Sequence, residues 1–330
     1  MDGLVHVGYA SNMSDHLINL NLFEYFRGGE SVYYFMPGLR YILSIINLFF
    51  GDTFNGVLLI LIFFPVIIYF VLLKLNITKK YALIVTISFI FLKIPYVGFS
   101  FNHFLRSGLT IYPETFAAFL FFAFLILLFK KNIFLSGVIC SLMIFIRPNY
   151  LPILMITMVF HFIIYFKSKN FKNFTYGLLG LSLVLLIPVH NLIFGGDQFA
   201  FLTSSAFISS NLKVDPYEYF LFFSDYEIKT KIINHIFDLI TTGERNNLFA
   251  YIINFLLLIN LIFFNIFMIK KLNHKIILIS FFALSLQFFG LFYINTGRYA
   301  YFPWLLVLIA NLLIFKDFYF KKIYYLFSKQ

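Results

Sequence analysis

Residues 113–131 read PETFAAFLFFAFLILLFKK, a run from Pro113 to Phe129 whose one charge is Glu114, closed by Lys130 and Lys131. A hydrocarbon core about 30 Å thick asks for roughly 20 apolar residues per crossing helix. In lipid, a helix lets a single segment satisfy its own backbone hydrogen bonds. The stretch therefore predicts a membrane span with a proline-and-acid start and a lysine end.

The rest of the chain repeats this grammar. Of 330 residues, 61% are hydrophobic and 12% charged, which excludes an ordinary soluble domain. The pattern predicts an all-α, polytopic transmembrane helical bundle, a single transmembrane domain over residues 1–330. Spans are expected near 55–73, 81–99, 113–129, 133–147, 149–166, 174–194, 248–269, 276–294 and 300–315. The segment from Pro37 to Phe50 is too short to cross and reads as a re-entrant or interfacial helix.

Lysines recur at every second junction: Lys74, Lys79 and Lys80; Lys130 and Lys131; Lys167, Lys169 and Lys172; Lys270, Lys271 and Lys275; then Lys316, Lys321, Lys322 and Lys329. By the positive-inside rule these junctions are cytoplasmic. Nine spans then place the N-terminus outside and the C-terminus inside the cytoplasmic (inner) membrane. All six arginines and thirteen of the fourteen acidic residues fall on the outer side, and Asp317 is the exception. The net charge of +11 thus reflects topology and attraction to anionic membrane lipids, with no indication of a nucleic-acid partner.

Two outer segments are long enough to build something: a first outer loop over 1–54 containing the interfacial helix, and a large outer loop over 195–247. Within the second, Ile228, Ile232, Ile236 and Leu239 recur at helical spacing, with Lys229, Lys231 and Asp238 elsewhere on the wheel. That predicts a helix over Tyr226 to Ile240 lying on the membrane surface or over a cavity, the plainer reading being a solvated connector with one amphipathic turn. The single cysteine, Cys140, lies in an apolar span, so no intrachain disulfide can form. Fifty phenylalanines suit a lipid-facing surface and are assigned no function. His161, deep in a span, reads as a hydrogen-bonded core histidine.

Several short motifs follow one another in a recognisable order. They are Asp2-Gly3-Leu4-Val5-His6 running to Tyr9; Met36-Pro37-Gly38-Leu39-Arg40-Tyr41 running to Phe50-Gly51-Asp52; Tyr112-Pro113-Glu114-Thr115; Ser136-Gly137 running to Arg147-Pro148-Asn149; and Gly297-Arg298-Tyr299 with Pro303. In this order the chain resembles the GT-C superfamily of polytopic membrane glycosyltransferases. The likeness covers most of residues 1–166 and the last spans and leaves 195–247 unmatched. In that superfamily a span precedes the first outer loop, so the resemblance implies one more helix upstream of Asp2.

The resemblance implies a transferase working on the outer face. Nucleotide sugars are absent there, so the implied donor is a polyprenyl-phosphate sugar and the acceptor a lipid, glycan or protein, with inversion at the anomeric carbon. Such a reaction needs a carboxylate to accept the acceptor's proton and a cationic clamp on the departing phosphate. Asp2 is the implied catalytic base. Arg40, Arg106, Arg147 and Arg298 are candidate phosphate ligands, because guanidinium pairs bidentately with phosphate. His6, Glu30, His103, Glu114 and Tyr299 complete the candidate substrate-binding set.

Each has a plainer reading. Glu30 after Arg27-Gly28-Gly29 is also a loop acid. Pro113-Glu114 is also what a helix start prefers. Arg147-Pro148 is also a snorkelling arginine before a proline-initiated helix, and Arg298-Tyr299 is also an interfacial anchor. His103 can face donor or water. Asp2, His6, Glu30 and Glu114 offer hard ligands for a divalent cation, but nothing in their spacing requires one, so the cofactor and any metal stay unknown. Two further functions compete: an O-antigen-type polysaccharide polymerase or ligase, for which only Arg245 lies in the large outer loop, and a lipid-linked glycan flippase or transporter. The near absence of titratable groups from the span centres, and of repeated halves, favours a one-sided enzyme over transport.

Overall fold

The computed structural model describes residues 2–29, 38–91, 101–199, 212–241, 248–293 and 297–320. Among the described residues the chain is all-helical, and the sole β-type pairing is an isolated bridge between Leu212 and Tyr293. Among the described residues, three helices are long and apolar enough to cross a membrane: Asn55–Lys74, Phe171–Gly195 and Tyr301–Phe318. Six shorter apolar helices accompany them, including Pro113–Phe129 and Ile133–Ile146. The chain divides into two compact units, Met1–Lys93 with Ser100–Ser210, and Ile94–Phe99 with Asn211–Gln330.

The first unit opens with α1 (Asp2–Ile18), α2 (Leu22–Arg27) and α3 (Gly38–Phe50). The segment expected to be an outer loop with one helix is therefore three helices. Helix α1 packs on α3, with Ala10 and Met13 of α1 fully buried and the Ser14 hydroxyl donating to the Ser44 carbonyl oxygen at 3.1 Å. Gly51 ends α3 in the left-handed conformation, at φ 67°, where a side chain would be strained. Asp52 then accepts from Ser11 Oγ at 2.7 Å and Asn47 Nδ2 at 3.0 Å, pinning the end of α3 to α1.

Next come α4 (Asn55–Ile62) and α5 (Phe64–Lys74), joined at Phe63 just before Pro65, and then α6 (Lys79–Phe91) and α7 (Phe101–Leu109). Phe64 is fully buried and stacks on Phe104 of α7 with centroids 3.7 Å apart. Phe89 and Phe122 meet the same ring edge-on. Dispersion and ring geometry hold these contacts, at about 0.5–1.5 kcal/mol per aromatic pair. Part of the phenylalanine content is thus core packing and not only lipid-facing filler.

Helices α8 (Pro113–Phe129) and α9 (Ile133–Ile146) form a tight hairpin through Lys130–Asn132. After a short turn at Pro148–Tyr150 follow α10 (Leu151–Ser168), α11 (Phe171–Leu181) and α12 (Leu186–Gly195). Helices α9 and α11 run parallel and touch backbone to backbone. A Cβ on Gly180 would lie 2.4 Å from the Phe134 carbonyl oxygen, and one on Gly137 would lie 2.8 Å from Gly180. Small residues permit that approach, and the Ser141 hydroxyl adds bonds of 3.1 Å to the Gly180 and Leu181 carbonyls. The Ser136-Gly137 motif is therefore a helix-crossing device. His161 is buried, with its ring over Gly177, but its Nε2 has no hydrogen-bond partner among the described residues, so the expected hydrogen bond is missing at that atom.

In the second unit, α13 (Tyr226–Thr241) covers the predicted amphipathic helix and is followed by α14 (Leu248–Phe267), α15 (His274–Gly290) and α16 (Gly297–Ile314). Ile232 and Leu239 are buried as their spacing predicts. Asp238, expected off the apolar face, is buried as well, because Lys213 Nζ reaches it at 3.0 Å. His235 bonds the Gly290 carbonyl at 2.9 Å, and Trp304 Nε1 donates to the Leu239 carbonyl at 3.0 Å. These bonds tie α13 to its neighbours in place of leaving it as a loose connector.

Candidate functional site

The site is built on Gly38. A Cβ there would lie 2.5 Å from the carbonyl carbon of Phe145, so only glycine lets the first turn of α3 meet the last turn of α9. Two residues beyond each contact point stands an arginine: Arg40 on α3 and Arg147 at the end of α9.

Arg147 is held by local chain chemistry. The residue before a proline is pushed out of the helical region, and Arg147 before Pro148 is extended, at φ −146° and ψ 103°, while its N–H still closes α9 on the Met143 carbonyl. Its Nη2 donates to Glu114 Oε1 in the first turn of α8. The two side chains are 14% and 7% exposed. Pro113 at the helix start and Glu114 at the positive dipole end do satisfy the plainer capping reading, yet no side-chain cap bond is made at Tyr112. The carboxylate is turned inward and paired. Among the described residues its Oε2 is buried without a hydrogen-bond partner.

Arg40 is 6% exposed. Its Nε donates to His6 Nδ1 at 3.1 Å, its Nη1 donates to the Gly28 carbonyl at 3.0 Å, and its guanidinium lies 4.3 Å from the centre of the Tyr9 ring. Because His6 Nδ1 accepts, the neutral ring carries its proton on Nε2 and presents a donor. The α2 end that supplies the Gly28 carbonyl is clamped in turn. The Phe26 carbonyl accepts from the Tyr41 hydroxyl at 2.5 Å and sits 2.9 Å from His190 Nε2 of α12, and Phe23 packs on Phe194.

His103 and Arg106 are exposed on α7, whose Ser107 carbonyl accepts the Tyr112 N–H just ahead of Glu114. Partial burial, with Arg106 beside it, lowers the His103 pKa below its ordinary 6.5. Asp2 opens α1 one turn ahead of His6 along the backbone. Glu30 lies outside the described residues, as do the side chains of Asp2, Arg298 and Tyr299; the latter two stand at the start of α16 in the second unit. In the first unit the structure thus pairs His6 with Arg40 and Glu114 with Arg147, on elements that meet at the Gly38–Phe145 contact.

Three partners escaped the sequence reading as site residues: Tyr9, the Gly28 carbonyl and Tyr150, which is buried beside the Glu114–Arg147 pair. Tyr9 carries a faint signal, three residues beyond His6 on one helical face. Among the described residues no group of three or more His, Cys, Asp or Glu side chains is placed to hold a metal ion. No protein-family model, curated protein or solved structure matches this chain.

Proposed function

We propose that this chain is a membrane glycosyltransferase that moves a sugar from a polyprenyl-phosphate donor to a lipid, glycan or protein acceptor at the outer face of the cytoplasmic membrane. In this reading the chain makes nine crossings with its N-terminus outside, and the arginine-bearing ends of the helices face the donor. What supports the reading is that buried Arg40 and the buried Glu114–Arg147 pair stand on elements that meet backbone to backbone at Gly38 and Phe145. Buried guanidinium groups fixed by several partners suit a phosphate, whose charge grows as the sugar leaves.

The chemistry balances as a single displacement. The acceptor hydroxyl oxygen forms a bond to the anomeric carbon while the bond from that carbon to the phosphate oxygen breaks, and the electron pair leaves with polyprenyl phosphate. Asp2 takes the hydroxyl proton. Arg147, oriented by Glu114, and Arg40, oriented by His6 and Tyr9, bind the departing phosphate. Glu114 Oε2 accepts a hydrogen bond from a sugar hydroxyl.

The test is release of free polyprenyl phosphate from a panel of polyprenyl-phosphate sugars by the purified protein, with membrane extract as acceptor. Release that requires acceptor and falls about 10²–10³-fold in Glu114→Gln and in Asp2→Asn supports the reading. A folded protein that releases nothing from any donor overturns it and brings the polymerase reading forward.

A further inference from the structure

At the other end of the first unit lies a groove of about 600 Å³, lined by Lys130, Lys131, Asn132, Asn173, Tyr176 and neighbouring apolar side chains. We propose that it is a binding site for one anionic phospholipid, with the headgroup phosphate between Lys130 and Lys131 and an acyl chain along Phe134 and Leu179.

Three independent features point to this ligand. The first is charge: Lys130 and Lys131 are exposed at the hairpin between α8 and α9, and Lys172 stands at the rim, its Nζ 5.8 Å from the centre of the Tyr176 ring. The second is polarity of the scaffold. Because α9 and α11 run parallel at the Gly137–Gly180 contact, both begin at this groove and direct their positive dipole ends to it. Asn132 and Asn170 each satisfy one N–H, that of Leu135 and that of Asn173. The Phe171 N–H is bonded to the Lys169 carbonyl at 3.1 Å, and the other first-turn N–H groups of both helices face the same end.

The third feature is the adjoining surface. Phe134 and Leu179, which line the groove, are 45% and 52% exposed. A free phosphate has no use for such a wall, whereas a lipid does. Polar head and apolar wall are continuous in one groove, the arrangement a phospholipid presents in complement. Lysine ammonium groups beside a neutral asparagine and a tyrosine select an anionic headgroup over a zwitterionic one, whose own cation would be repelled.

Native mass spectrometry of the full chain, titrated with phosphatidylglycerol or with phosphatidylcholine of the same acyl chains, tests the site. The expected result is one retained phosphatidylglycerol that phosphatidylcholine and inorganic phosphate fail to displace. Lys130→Gln/Lys131→Asn should weaken it about tenfold, asparagine being tolerated at the left-handed backbone of Lys131. Lys79→Gln/Lys80→Gln removes the same charge from exposed residues outside the groove and should leave it unchanged. Equal loss in the two double variants, no loss in the first, or displacement by inorganic phosphate each overturns the proposal.

Discussion

The two ends of the first unit both carry cations, but they use them differently. At one end Arg40 is 6% exposed and bonded to a histidine and a carbonyl, and Arg147 is paired to a buried carboxylate. At the other, Lys130 and Lys131 lie exposed beside an open groove. The difference follows from the side chains. A planar guanidinium sheds water readily and offers donors in fixed directions, whereas an ammonium is a compact, strongly hydrated point charge. One end therefore holds its cations buried in fixed directions, and the other leaves them exposed beside the groove.

The largest effect that would break this contrast concerns stability. Arg147→Met should strand the buried Glu114 carboxylate and cost about 3–5 kcal/mol, whereas Lys130→Met should fall within about 0.5 kcal/mol of wild type. Unfolding of both variants in one detergent, followed by far-ultraviolet circular dichroism of the helices, decides it, and comparable losses would erase the distinction. Next is Arg40→Lys, which keeps the charge but loses the fork. Transfer should fall about a hundredfold with little change in stability, measured as polyprenyl phosphate released. A variant that kept full activity would make Arg40 an ordinary cation like those at the lysine end.

The smallest effect is one of pH. Because the folded chain holds the His103 pKa below 6.5, the unfolded chain takes up that proton first on acidification. The contribution is present above pH 6.5 and is lost as pH falls below it, so stability should decline slightly more steeply in wild type than in His103→Asn. The lysine groove carries no group of this kind among its lining residues, so Lys130→Gln should leave the slope unaltered. Thermal unfolding on both sides of pH 6.5 distinguishes the two ends.

The helices over 113–129 and 133–147 were legible because apolar length, a proline at the start and charged ends are local properties. The helix α1 was not. Its residues mix Asp, His, Ser and Asn with apolar ones, and Ala10 and Met13 become core only against α3. Asp238 was misread for a similar reason, since the lysine that makes its burial tolerable lies 25 residues away in sequence. At the candidate site, the residue types were legible but their pairing was not. Arg40 finds His6 across 34 residues and Arg147 finds Glu114 across 33. Only Gly38, a residue with no side chain, records how closely the elements carrying them approach.

The junction at Phe63 has a mechanical consequence. Phe64, the first residue of α5, is stacked flat on Phe104, and a Cβ on Gly108 would lie 2.3 Å from Leu61 on α4, so α7 is clasped from both sides of the break. A few degrees of bending at Phe63 would swing α7 as a lever arm and carry His103 and Arg106 with it.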